Sequence, residues 1–203
     1  MIKFYADSNI LVVGATNSGK TTTILRLIKD QCVYPMPKKI FYLYGAKQPF
    51  MDTWNDDGNP PITFVAGLNL SVIDDIEEPK LLIIDDLMLS QNKDLAQHFI
   101  AGSHHKHTTT IYVSHSIFLN DENYRLLSNN CQYMLLMRNK RNFSQVTRLA
   151  RQILGVGYKR VIEAYNYISQ KTFGFVLLSF HPKVPEELLV TSDYFEKCPS
   201  VFL

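Results

Sequence analysis

The chain has 203 residues, 46% of them hydrophobic and 20% charged, enough for one α/β domain with a full apolar core and unlike a disordered chain. Mean hydropathy is −0.08, and no stretch reaches the roughly 18 apolar residues that a membrane-spanning helix needs. Three scattered cysteines, Cys32, Cys131 and Cys198, exclude a disulfide scaffold and a zinc ribbon and fit a reducing compartment.

Asp7 interrupts the first apolar residues, so no leader is expected, and a soluble, intracellular protein is. Asn9 to Gly14 (NILVVG) reads as a buried strand. Lys20 to Asp30 carries Ile24, Leu27 and Ile28 at helical spacing, and Val33 to Pro37 stops that helix. Lys39 to Tyr44 is a second strand, and Gly45 to Pro61 a long loop containing Trp54. Ile62 to Val65 is a short strand, and Leu70 to Glu78 a short acidic helix. Lys80 to Asp86 (KLLIIDD) is the clearest buried strand. Gln91 to Ile100 reads as a helix, and Thr108 to Ser114 and Cys131 to Met137 as strands. Helical patterns over Ser144 to Leu154 and Tyr158 to Ser169 are split by Gly155-Val156-Gly157. A core strand, Thr172 to Phe180, follows, with Phe173, Phe175 and Phe180 read as core, and the apolar tail is expected to tuck in. Strands alternating with helices give an α/β fold with a mostly parallel sheet, expected as a single domain over residues 1–203.

Charge is unevenly spread. No Asp or Glu occurs from Asn123 to Ile162, where Arg125, Arg138, Lys140, Arg141, Arg148, Arg151, Lys159 and Arg160 gather. Such a stretch can face the phosphates of a nucleotide or nucleic acid, or form a solvated basic face.

Gly14-Ala15-Thr16-Asn17-Ser18-Gly19-Lys20-Thr21 matches GxxxxGK[ST] between a strand and a helix. Glycines allow the tight turn, backbone N–H groups converge on phosphates, and the helix N-terminus adds positive potential. Gly14 to Thr22 are therefore the nucleotide-binding candidates. Lys20 can reach the β- and γ-phosphates, and the Thr21 hydroxyl can ligate Mg²⁺. KLLIIDD delivers Asp85 and Asp86 to the carboxyl edge of the sheet, where ligands bind. Asp85 is assigned a metal role and Asp86 the orientation of an attacking water. Asp86 can alternatively cap a turn.

Paired acids favour a water-activating NTPase. A small-molecule or nucleotide kinase and a low-turnover ATP-binding assembly module remain alternatives. Asn139-Lys140-Arg141-Asn142 lacks the Asp of a guanine-reading NKxD. If the strand Thr108 to Ser114 lies between the phosphate-loop and acid strands, His115 or Ser114 meets the γ-phosphate. His104-His105-Lys106-His107 fits a polar turn or phosphate contact better than a metal site. Arg125, Arg138 and Arg141 flank the strand Cys131 to Met137 and are candidates for an arginine supplied to a neighbouring copy. Arg148 and Arg151 share a helical face that suits DNA or a structural role.

The motif order resembles the FtsK/HerA-type genome-packaging ATPases of double-stranded DNA viruses and virus-like transposons. The nearest resemblance is to the Polinton (Maverick) and adintovirus branch, related to the poxvirus packaging ATPase. It spans about Ile10 to Leu154 and rests on VVGATNSGKTT, YGAKQPF with ITFVAGL, LLIIDDLM, and GSHHKHTTTIYVSHSIF followed by YRLLSNNCQYMLLMRNKRNFSQVTRLARQI. Arg125, Ser128, Asn129, Arg138, Asn139, Arg141, Leu149, Ala150, Arg151 and Gln152 fit the family pattern, and His115-Ser116 stands where Gln-Asn is usual. The resemblance implies a P-loop NTPase three-layer sandwich of the additional-strand, RecA/FtsK-like type. It further implies a pentameric or hexameric ring that hydrolyses ATP with Mg²⁺ and pulls double-stranded DNA into a capsid. A capsid or portal protein would be its partner, in the host nucleus or cytoplasm.

Overall fold

The computed structural model describes residues 3–56, 58–87, 107–116, 127–139, 141 and 143–203. The expected helix over Gln91 to Ile100, together with His104, His105, Lys106, Arg125, Lys140 and Asn142, lies outside the described residues.

The chain opens with β1 (Phe4–Tyr5), β2 (Asn9–Val13) and α1 (Lys20–Lys29), followed by β3 (Val33–Tyr34). Next come β4 (Lys39–Tyr44), β5 (Thr63–Ala66), β6 (Lys80–Asp85), β7 (Thr108–Ser114) and β8 (Tyr133–Met137). Two helices, α2 (Phe143–Leu154) and α3 (Tyr158–Ile168), precede β9 (Phe175–Ser179), β10 (Val190–Ser192) and β11 (Ser200–Val201). The main sheet has nine strands in the order β11-β10-β9-β8-β2-β7-β6-β4-β5. The six strands from β8 to β5 are mutually parallel, and β9, β10 and β11 add antiparallel. Phe4–Tyr5 and Val33–Tyr34 form a separate two-stranded parallel ribbon.

Strand periodicity builds three layers. Successive side chains point to opposite faces, so Ile10 and Val12, Leu81 and Ile83, and Ile111 and Val113 share one core with Ile24, Leu27 and Ile28 of α1. Leu11 and Val13, Leu82 and Ile84, and Tyr112 share the opposite core with Val146, Leu149 and Ala150 of α2 and Val161, Ala164 and Ile168 of α3. Burial on both faces explains why β2, β6 and β8 are continuous apolar runs rather than alternating ones.

Several expectations change. The acidic helix over Leu70 to Glu78 is only a 3₁₀ turn at Leu70–Ile73, opened by Asn69 Oδ1 accepting from the Ser71 N–H at 3.1 Å. The strand expected from Thr172 begins at Phe175 instead. Of the three phenylalanines read as core, Phe175 is buried and Phe180 partly so, whereas Phe173 is 53% exposed. The C-terminal tail divides: Tyr194 is buried and Phe202 packs on the core, while Val201 and Leu203 are exposed. Trp54 anchors its loop, buried with Nε1 donating to the Pro60 carbonyl at 2.8 Å.

Candidate nucleotide site

Parallel register brings the chemistry to one edge. Val13 pairs with Ser114, Ile84 with Tyr112 and Tyr44 with Asp85, so β2, β7, β6 and β4 end together. β7 lies between β2 and β6, the position that carries its terminal residues to the phosphate loop. His107 stands at the opposite end of β7, about 26 Å from His115 at the rise of an extended strand. There it sits in a turn and pairs with Asp7 at 3.3 Å, which agrees with the polar-turn alternative and not with a phosphate contact for His107.

The loop from Gly14 to Gly19 feeds α1 through left-handed backbone at Asn17 (φ 62°) and Gly19 (φ 93°). A Cβ on Gly19 would also stand 2.6 Å from Phe173 Cδ1, so this turn requires glycine. The first turn of α1 contains no acidic residue and no side-chain cap, leaving its N–H groups and positive potential directed at the cleft. The Ser18 hydroxyl is buried in the loop without a partner among the described residues.

Lys20 is 7% exposed and donates to the Gly14 carbonyl at 2.8 Å and the Ala15 carbonyl at 2.9 Å. Burial lowers its pKa from the ordinary lysine value, while Asp85 and Asp86 pull it back up. Its Nζ also lies 3.3 Å from His115 Nδ1, and His115 Nε2 lies 3.1 Å from Asp86 Oδ1. An ammonium only donates, so Nδ1 accepts and the ring proton sits on Nε2, donating to the Asp86 carboxylate. Lys20, His115 and Asp86 thus form one chain. Ser114 turns away from it, donating to the Ser116 carbonyl at 2.8 Å.

The two acids occupy different environments. Leu81, Ile83 and Asp85 alternate onto the α1 side of the sheet, and Asp85 is 4% exposed. Its Oδ2 accepts from the Tyr42 hydroxyl at 2.6 Å and from Gln48 Nε2 at 3.2 Å. Burial, reinforced by the Asp85 charge, pushes the Tyr42 phenol above its ordinary range, so its proton is retained for donation. The nearby Thr21 hydroxyl opposes that shift in part, which places Thr21 beside the same phenol. Beyond Asp85 the backbone turns left-handed (φ 55°), and the Asp86 side chain, 56% exposed, points to His115 rather than capping a turn. The Asp86 carbonyl comes so near Gly45 that a Cβ there would stand 2.3 Å from it, which accounts for the glycine of YGAKQPF.

Thr16, Asn17, Gly19, Lys20, Thr21, Thr22, Gln48, Asp85, Asp86, His115 and Phe173 line one open cleft of about 580 Å³, within the range of about 300–1,000 Å³ typical of small-molecule sites. Tyr42, Gln48 and Phe173 are the contributors that sequence reasoning missed. The aromatic Tyr42 inside KIFYLY reads as core, and no local pattern marks its hydroxyl as a partner of Asp85.

The candidate arginines fall elsewhere. Arg138 is tied down within the chain, its N–H donating to the Gly174 carbonyl at 2.9 Å and Nη1 to the Lys171 carbonyl at 3.0 Å. Arg141 is exposed and does not line this chain's own cleft. Arg148, Arg151 and Lys159 are exposed on α2 and α3, with the Arg151 guanidinium 4.8 Å from the centre of the Tyr158 ring. Arg160 pairs with Glu186 at 3.4 Å. No helix among the described residues is long and apolar enough to cross a membrane.

A mostly parallel sheet between helical layers, with the phosphate loop leaving β2 for α1, has the fold of P-loop NTPases. Solved structures give the particular likeness. B204, the DNA-packaging ATPase from Sulfolobus turreted icosahedral virus, superposes with a TM-score of 0.57 at 10% identity, covering 88% of this chain and 95% of that one. The genome-packaging NTPase B204 from Sulfolobus turreted icosahedral virus 2, in complex with AMPPCP, gives 0.58 at 10% identity over 88% and 95%. A KaiC-like protein from Pyrococcus horikoshii OT3 gives 0.51 at 12% identity over 98% and 91%. At such identities the likeness concerns the fold. No family model and no curated protein matches the chain.

Proposed function

We propose that the chain is an ATP-hydrolysing, double-stranded DNA translocase that packages viral or virus-like-element DNA into a capsid as a ring oligomer. The observation that carries the hydrolytic part is the joining of Lys20, His115 and Asp86 in one cleft beside the buried Asp85. Backbone N–H groups of the loop and the Lys20 ammonium hold the β- and γ-phosphates. Asp86 accepts a hydrogen bond from the attacking water and aims it in line with the γ-phosphoryl group. His115 steadies the Asp86 carboxylate and, through Lys20, links it to the phosphate loop.

The donor set fits Mg²⁺, a hard cation that takes oxygen ligands and is commonly held by one or two carboxylates plus substrate phosphates. Thr21 and Asp85 would hold it, with Asp85 fixed by Tyr42. When bound it supplies neutralisation of the charge on the phosphoryl oxygens. Tyr42→Phe is expected to raise the half-saturating Mg²⁺ concentration for hydrolysis by about 10- to 100-fold, the usual cost of losing a group that orients a metal ligand. A magnesium titration at fixed ATP measures it.

The coupling to DNA is supported by the basic, acid-free stretch from Asn123 to Ile162 and by the fold likeness to B204, itself a DNA-packaging ATPase. The order of sequence motifs supports the Polinton/adintovirus-like branch, a pentameric or hexameric ring, an arginine supplied between copies by Arg125 or Arg141, a capsid or portal partner, and action at capsid assembly sites in host nucleus or cytoplasm. Duplex DNA is expected to stimulate phosphate release with weak sequence preference. Its binding constant should fall with salt, by about 0.9 log units per log unit for each phosphate neutralised. Turnover indifferent to duplex at low salt and high protein concentration would contradict the translocase reading.

A further inference from the structure

Among the described residues lining the cleft, Phe173 is the single large apolar side chain; the others are glycine, hydroxyl, amide, charged or imidazole groups. It is 53% exposed and holds a left-handed backbone (φ 57°), a conformation that bulky side chains rarely adopt. Its neighbours fix it there. Arg138 donates to the carbonyls of Lys171 and Gly174 on either side of it, and the Lys171 N–H donates to the Ile168 carbonyl at 2.9 Å. The ring rests on Gly19, at the entrance of α1. An exposed ring pinned in an unfavourable backbone contributes little to the core.

Sheet order gives its position meaning. Asp85, Asp86 and His115 come from β6 and β7 on one side of β2, whereas Phe173 precedes β9 and is anchored beyond β8 on the other side. A triphosphate gripped above β2 with its terminal phosphate toward the acids must extend its remaining portion the opposite way, toward Phe173. What lies there in a nucleotide is the sugar and a flat π-system.

We propose that Phe173 is the stacking platform for the base of the bound nucleotide and gives the cleft its preference for purine nucleoside triphosphates. This rests on the triphosphate-binding reading above. The Lys20 grip serves any triphosphate equally, so base contacts alone can discriminate among them.

The test is calorimetric titration of the full chain with ATP, CTP and inorganic tripolyphosphate, each with magnesium, for the parent, Phe173→Ala and Phe173→Trp. Loss of one base–aromatic stack predicts ATP binding about 5- to 150-fold weaker in Phe173→Ala. Tripolyphosphate affinity should be unchanged, CTP should lose less than ATP, and Phe173→Trp should retain ATP binding. Equal weakening of ATP and tripolyphosphate would assign Phe173 to shaping the phosphate loop and overturn the proposal. Unchanged ATP affinity in Phe173→Ala would overturn it too, including where sedimentation shows that the ring serves a contact between copies. Parent protein that binds tripolyphosphate and ATP equally defeats the base platform alone, whereas parent protein that binds neither defeats the triphosphate reading with it.

Discussion

Asp86→Asn is expected to bind ATP as the parent does and to hydrolyse it about 10²- to 10⁴-fold more slowly, the usual contribution of a positioned general base. The amide keeps the size of the carboxylate, and its Oδ1 can still accept from His115 Nε2, now 3.1 Å from the Asp86 oxygen. What it loses is the negative charge that draws a proton from water. Since the Asp86 side chain is largely exposed, the change leaves the fold intact, and unaltered thermal denaturation should accompany the lost turnover. Calorimetric ATP titration beside steady-state phosphate release separates the two effects. Equal turnover in parent and variant would remove Asp86 from the water-activating role.

Lys20→Ala acts a step earlier. It removes an ammonium whose hydrogen bonds to phosphate oxygens are charge-assisted, each worth about 1.5–3 kcal/mol. With two such bonds sharing the loss, ATP affinity should fall on the order of 10²-fold or more. The same Nζ holds the Gly14 and Ala15 carbonyls, so the loop itself should loosen. Faster amide exchange over residues 14–19 is the accompanying signature. Binding of ATP at parental affinity would show that the phosphates do not meet Lys20.

Legibility followed the range of the interactions. The phosphate loop is written in eight consecutive residues because its geometry is local. Asp85 and Asp86 are legible because four apolar residues before them declare a buried strand with a known polarity. The α1 face of Asp85 follows from the two-residue period through Leu81 and Ile83. His115 is drawn to the site by a strand order that no local pattern encodes, so the sequence supports it only conditionally.

Tyr42 was illegible because hydrophobic patterning treats its ring as core, which it is, while its hydroxyl serves Asp85 across neighbouring strands. Phe173 reads as core because TFGFVLLSF is one apolar run. The strand begins only at Phe175, after Phe173 has turned left-handed at the cleft. Val190–Ser192 and Ser200–Val201 are not legible as strands because two or three residues carry no periodicity. The short acidic helix failed for a related reason: Leu70–Ile73 completes one 3₁₀ turn, and the acids that follow have no helix to join.

The central claim is that this cleft activates water against a bound triphosphate. Single-turnover reaction of ATP with magnesium in ¹⁸O-labelled water, followed by mass analysis of the released phosphate, tests it most directly. The account predicts inorganic phosphate carrying a solvent oxygen from the parent chain and almost none from Asp86→Asn in the same interval. Transfer of the γ-phosphate to a nucleoside or nucleotide acceptor in place of water, or equal labelled phosphate from both chains, would contradict it.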